Sequence, residues 1–365
     1  MQANRYLSLD VFRGLTIAGM ILVNTPGNDA FTYAPLHHAR WHGFTPTDLV
    51  FPSFLFIVGV AMRFSFKAYQ YELTPTLRAK ILRRTALIFG IGYLVHTFPY
   101  YDFHLAHLRV LGVLQRIALC YLGASLLALL LSRRQLLLVS AGILVGYWLL
   151  LAAFGDYELT TNAVRRFDLW LMGPNHLYHG EGLAFDPEGW LSTLPALVTV
   201  LLGYLTGQAI QQADDKDKLI VQMVLWGVVL TVAALVWNVV FPINKKLWTS
   251  PYVLLSAGID LLILPVLIWA IDGKGWRGWT LFFVVFGANS IVAYALSEVL
   301  AVLLWHIPVT EANGFPTHLY PWLYWHIFQP VFGHYPGSLA FAVTFVLVCW
   351  VVCYGLYRRK IFLKV

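Results

Sequence analysis

Charge is what this sequence has least of. Only 12% of its 365 residues are Asp, Glu, Lys or Arg, where soluble domains carry roughly 25%. So few charges cannot cover a water-facing surface, which excludes a soluble globular protein. Cysteine is scarce as well. Cys120, Cys349 and Cys353 all fall in apolar runs, with no CxxC or other ligand spacing. That argues against a disulfide framework and gives no support to a metal site or a redox role. Low-complexity tracts and internal repeats are missing too. Nothing marks a separate cytoplasmic domain, so residues 1–365 read as a single transmembrane unit.

What is there is apolar and aromatic. Hydrophobic residues make up 59% of the chain, including 14 Trp, 19 Tyr and 24 Phe, a composition suited to two interfacial belts. A spanning helix needs ~20 mostly apolar residues. Segments of that kind lie near 7–25, 47–66, 80–98, 110–131, 135–154, 190–208, 219–241, 250–271, 280–304 and 337–357. The expected fold is all-α and polytopic, with about ten transmembrane helices. Asp10 and Arg13 interrupt the first segment and no small-residue cleavage site follows, so it reads as a retained helix rather than a signal peptide.

The formal net charge of +7 resides mostly in short loops and reads as a topology signal, not as a nucleic-acid surface. With the N-terminus in the cytoplasm, Arg5, the basic run from Arg63 to Arg84, Arg133, Arg134, Lys216, Lys218, Lys274, Arg277 and the residues from Arg358 to Lys364 all lie inside. Arg40, Arg109, Arg165, Arg166, Lys245 and Lys246 lie outside. The asymmetry places both termini in the cytoplasm. All 12 histidines then fall in outward segments or at outward helix ends, which points to proton-handling chemistry near the outer face. The outward loops near 26–46, 155–189 and 305–336 are the expected binding surface.

Polar groups inside a membrane are costly and need an explanation. Asp10 and Arg13 share one face of the first helix, either as a structural ion pair or with Arg13 meeting an anionic ligand from the cytoplasm. Asn24 ends the same helix. The stretch from Leu36 to Pro52 enters the second helix from outside. In it Thr45, Thr47 and Asp48 can satisfy amides at the helix start, and His37 and His38 offer imidazoles for base or nucleophile work. Gln115 and Arg116 begin the fourth helix, and Asn289 and Ser290 sit within the ninth. Each is readable as a satisfied bundle contact. Together they describe a polar interior reachable from outside.

These segments, in this order, resemble the heparan-α-glucosaminide N-acetyltransferase family and its bacterial relatives. The resemblance runs through Ser8–Gly14 with Asn24, His38–Gly43 leading into Asp48–Pro52, and Gly112–Arg116. It continues in Asp186–Gly189, Ser192–Pro195, Pro242–Trp248 and Asn289–Ser290. It implies that acetyl-CoA from the cytoplasm supplies an acetyl group to a terminal glucosamine on the far side. It also implies that His38 is the active histidine, with Asn24 and Asp10 as its polar companions. Arg13, Gln115, Arg116, Asn289 and Ser290 are then the expected cofactor contacts, and no metal is expected. The sequence departs from the family pattern at His37, an additional histidine, and at His42, where an asparagine is expected. It also has no counterpart of the large luminal N-terminal region of the animal lysosomal members. The expected setting is therefore a bacterial inner membrane, and the expected acceptor a small amino sugar or glycan fragment. The partners are that acceptor and the lipid bilayer, with a homodimer left open. His38 serves either as general base or as an acetyl-carrying nucleophile. The alternative function is a transporter for an amino sugar or related solute, which should show inverted repeats and broken helices.

Overall fold

The computed structural model describes residues 6–101, 104, 106–311 and 314–363. Arg5 and Lys364, both expected on the inner side, lie outside these residues. All ten expected segments are helical. The chain runs through α1 (Leu7–Asn24), α2 (Pro46–Phe66), α3 (Pro75–Thr97), α4 (Val113–Leu130) and α5 (Arg133–Phe154). It continues through α6 (Ala163–Met172), α7 (Trp190–Gln212), α8 (Lys216–Trp237), α9 (Ser250–Leu267), α10 (Thr280–Ala288) and α11 (Ser290–His306). A small antiparallel hairpin of β1 (Pro308–Thr310) and β2 (Pro316–His318) leads to α12 (Leu319–Leu323), α13 (Gln329–Phe332) and α14 (His334–Arg358).

Local chemistry sets several boundaries. Thr45 and Asp48 form a capping box at the start of α2 with Pro46 in its first turn, and Ser132 and Gln135 do the same for α5. These side chains satisfy amides that have no partner inside the helix. Asn162 caps α6 and Asp215 caps α8.

Among the described residues, eight helices are long and apolar enough to cross a membrane, or nine if α10 and α11 count as one span. The protein is thus an all-α, multi-pass membrane protein. Two expected spans depart from a simple crossing. The 23-residue α3 is long enough, but Arg78, Lys80, Arg83 and Arg84 make its first half too polar. The segment expected as one helix over 280–304 is broken at Asn289, and its two halves bend by 85°. Asn289 has φ −130° and ψ 46°, outside the helical range, and its side chain is engaged elsewhere. The outward stretch 155–189 is more ordered than a loop. It contains α6, which buries Ala163, Val164 and Asp168 while exposing Trp170.

The centre of the bundle is α2 packed on α7. Gly59 and Gly203 face each other there, and a Cβ on either would strike the opposing backbone at Val200 or Phe56. Small residues at such crossings let helix backbones approach closely in a membrane. Helix α2 is mostly buried and α8 mostly exposed, so α2 is the core helix and α8 presents its apolar side chains to lipid. The three cysteines are buried and free.

Candidate active site

The ends of α2, α3, α4 and α11 that the basic asymmetry would place outward surround a cavity of about 530 Å³, the outer cavity below, roofed by the α6–α7 and α8–α9 connections. His38 stands on its wall. Its Nδ1 lies 2.7 Å from Asp48 Oδ1. Asp48 is 1% exposed and the His38 side chain 42% exposed, so a fixed carboxylate orients an accessible ring. The other oxygen, Oδ2, accepts the Ala39 and Thr45 amides, both at 3.0 Å. Asp48 is thereby the capping residue expected from the sequence and also the partner of His38. With Nδ1–H directed at Asp48, Nε2 is the ring's acceptor on the cavity side, and the Lys245 ammonium is within reach of it.

Lys245, from the α8–α9 connection, completes the group. Its Nζ is 3.1 Å from His38 Nδ1, 3.4 Å from Nε2 and 3.8 Å from Asp48 Oδ1. Burial pulls the Lys245 pKa down, and Asp48 and Glu188 offset part of that shift. Arg109 forks onto Asp186 at 2.8 and 2.7 Å and reaches Glu188 at 2.8 Å. Burial opposes the Arg109 charge, but those two carboxylates outweigh it and hold its pKa above the usual value. Lys246 pairs with Glu181 at 2.7 Å.

A second cavity, of about 470 Å³, opens at the other end of the bundle. Arg13, Lys80, Arg83 and Arg84 line it with Ser65 and Ser290, and no carboxylate does so among the described residues. Arg13 is held by Asp10 at 2.7 Å and by the Gly287 carbonyl at 2.7 Å. A narrow gap of about 40 Å³ continues inward past Phe54, Val58, Ile88, Ile117 and Tyr121. The outer cavity resumes one turn further along the same helices. On α3 the lining residues are Arg84, Ile88, Gly92 and His96, and on α11 they are Ile291, Tyr294 and Glu298. Arg84 to His96 is roughly 18 Å of helix.

The expected site residues therefore divide. Gln115 joins His38 in the outer cavity, whereas Arg13 and Ser290 line the inner one. Asp10 supports Arg13. Asn24 is exposed at the other end of α1, roughly 21 Å of helix from Asp10, and does not line the His38 cavity. Arg116 is fully buried behind the cavity, where it donates to Ser192 and to the Gly189 carbonyl and lies over Trp248. Asn289 holds a later segment, donating to the Ile361 carbonyl at 3.1 Å and accepting the Leu363 amide at 2.9 Å. Lys245 was not singled out as a site residue, and Lys80, Arg83 and Arg84 were read with the cytoplasmic basic residues able to meet the phosphates of CoA, without being placed in one cavity. Asp48 was read only as a cap. The ten-residue spacing from His38 through the Thr45 turn was the available signal.

The family model described as "Heparan-alpha-glucosaminide N-acetyltransferase, catalytic" matches residues 5–237. The chain belongs to this family. The match carries His38, Asp48, Arg13, Arg84 and Gln115, while Lys245, Asn289, Ser290 and Glu298 lie beyond it. Among individual relatives, heparan-alpha-glucosaminide N-acetyltransferase from Homo sapiens is 29% identical over 99% of this chain and 60% of its own length. The Mus musculus protein of the same name is 28% identical over 100% of this chain and 61% of its own length. The chain thus spans about three fifths of the length of the curated relatives it matches.

Proposed function

We propose that this protein transfers an acetyl group across the membrane, from cytoplasmic acetyl-CoA to the amine of a glucosamine-type sugar on the outer side. The observation that carries this reading is the pair of unlike cavities stacked along α3 and α11, one lined by cations and the other holding a histidine–carboxylate pair. The names of the two relatives supply the reaction class. Arg13, Lys80, Arg83 and Arg84 would meet the phosphates of the donor through charge-assisted hydrogen bonds. The thioester arm would enter the gap beside Ile88 and Tyr121, directing the acetyl group toward His38.

In direct transfer, the bound acceptor first gives up one ammonium proton to water, and its neutral nitrogen then attacks the thioester carbon. The C–N bond forms, the C–S bond breaks, and His38 Nε2 takes the amine proton and passes it to the leaving thiolate. In the two-step version, Nε2 attacks the thioester carbon and CoA leaves as thiolate. The amine then displaces the imidazole from the acetyl group, and its proton goes to the thiolate. In both versions Asp48 fixes the ring, and the Lys245 ammonium stabilises negative charge developing on the carbonyl oxygen. The basic asymmetry supports cytoplasmic termini, and the setting we propose is the bacterial inner membrane.

The broken helix at Asn289 favours a second reading, a transporter for an amino sugar, since discontinuous helices recur at solute sites. Reconstituted vesicles given radiolabelled acetyl-CoA outside and glucosamine in the lumen separate the two. Labelled N-acetylglucosamine in the lumen supports the enzyme. Loss of luminal glucosamine without acetylation supports the transporter and removes the proposal.

A further inference from the structure

The carboxylates of the outer cavity differ in one respect. Asp48 faces His38 and Lys245, Glu181 faces Lys246, and Glu188 faces Arg109. Glu298 lines the same cavity from α11, and no cation lies within ion-pair distance of it among the described residues. Its polar neighbour is the Tyr294 hydroxyl, one turn earlier on the helix. A carboxylate held away from water is costly unless a counter-charge meets it. The chain supplies such a charge to the other three and not to Glu298.

We infer that Glu298 is the residue that binds the acceptor's ammonium group, and so selects a protonated primary amine over a neutral sugar. The inference rests on reading the outer cavity as the acceptor site. An amino sugar in water carries its amine largely protonated, so the group arriving at the cavity is a cation. Lys245, Lys246 and Arg109 are each neutralised by a carboxylate of the chain, so the lining offers no spare cation to a sulfated or carboxylated acceptor. The ligand class is therefore an uncompensated amino sugar or a short glycan ending in one. Glu298 lies beyond the segment matched by the family model, so its role here is argued from the cavity alone.

The test is equilibrium binding to the full-length protein in nanodiscs, with glucosamine as the charged probe and glucose as the neutral one. At about pH 6.5, wild type should prefer glucosamine by roughly tenfold or more, and Glu298→Gln should erase that preference while leaving glucose affinity unchanged. Unchanged CoA affinity confirms that the variant is folded. If it does not fold, wild type alone decides. Glucosamine affinity should fall roughly tenfold as pH rises to about 9.5 and the amine loses its charge, with glucose unaffected. A preference that survives in Glu298→Gln, a flat pH profile, or equal affinity for the two sugars in wild type each overturns the inference. Transfer activity is scored separately. Preferential binding without any acetylation removes the acetyltransferase reading alone, whereas acetylation with a preference insensitive to Glu298→Gln removes this one alone.

Discussion

The two cavities are similar in volume and opposite in chemistry. The inner one presents Arg13, Lys80, Arg83 and Arg84 with no opposing carboxylate among its described lining residues. In the outer one, carboxylates and cations are interleaved, and the charges of Lys245, Lys246 and Arg109 are each met by a carboxylate, with Glu298 left over. A single-sign pocket attracts a polyanion and does little else. A balanced pocket gives up that pull and gains the ability to orient groups and move protons. Under the proposed function, capture and chemistry fall to opposite ends of one helix bundle, and each role can be tested without disturbing the other.

The largest expected effect is at His38. His38→Ala should lower the transfer rate by at least about 10³-fold while leaving CoA affinity unchanged, measured by single-turnover acetylation beside CoA titration. Equal loss of both would erase the division between the cavities. Next is Asp48→Asn, which keeps the shape but removes the charge that orients the ring. Its kcat should fall roughly 10²-fold, with a loss of about 1 kcal/mol in stability from the weakened cap, read by thermal unfolding. An unchanged kcat would reduce Asp48 to a helix cap. Arg84→Ala should raise the dissociation constant for CoA by roughly tenfold, with kcat at saturation little altered. The defect should narrow as salt rises, because screening already weakens the wild-type contact.

The smallest effect concerns Asp168, which caps the start of α7 through the Trp190 and Leu191 amides behind the outer cavity. Burial raises its pKa from 3.8 to about 7. The folded state therefore keeps a proton that the unfolded chain has lost, and stability falls as pH rises from about 4 toward 7 and then levels off. Asp168→Asn removes that titration and should be the more stable protein at pH 8, with its melting temperature converging on wild type near pH 5. A constant gap across that range would show that Asp168 does not titrate there.

Much of the fold was legible because spanning helices announce themselves by length and apolarity. The cap residues Thr45, Thr47 and Asp48 marked the start of α2 near 47, one residue from its observed first residue, Pro46. The break at Asn289 was not legible. Phe286, Gly287, Ala288 and Ile291 continue an apolar run, and only the side-chain bonds to Ile361 and Leu363 show why the helix stops there. The ambiguity of α3 comes from its basic residues, of which Lys80, Arg83 and Arg84 line a cavity. Of the residues singled out from the sequence, His38 and Gln115 line one cavity and Arg13 and Ser290 the other, whereas Asp10 and Asn24, grouped with His38 by resemblance, do not join it. The rise of α1 separates those two by most of its length. Lys245 reaches His38 from 207 positions away, and no local pattern reveals a pairing at that separation.

Helix α2 carries Asp48 beside the outer cavity and Ala61 and Ser65 beside the inner one, and its backbone lies directly against α7 at Gly59. It acts as a gauge. Asp48 to Ala61 is roughly 20 Å of helix, a distance that, under the proposed transfer, the donor's arm would bridge with its head group still seated. Truncated thioesters that lack the nucleotide should fall short from the cytoplasmic side and react only when offered from outside. The length of the acyl carrier, as much as its charge, would then determine which donors are used.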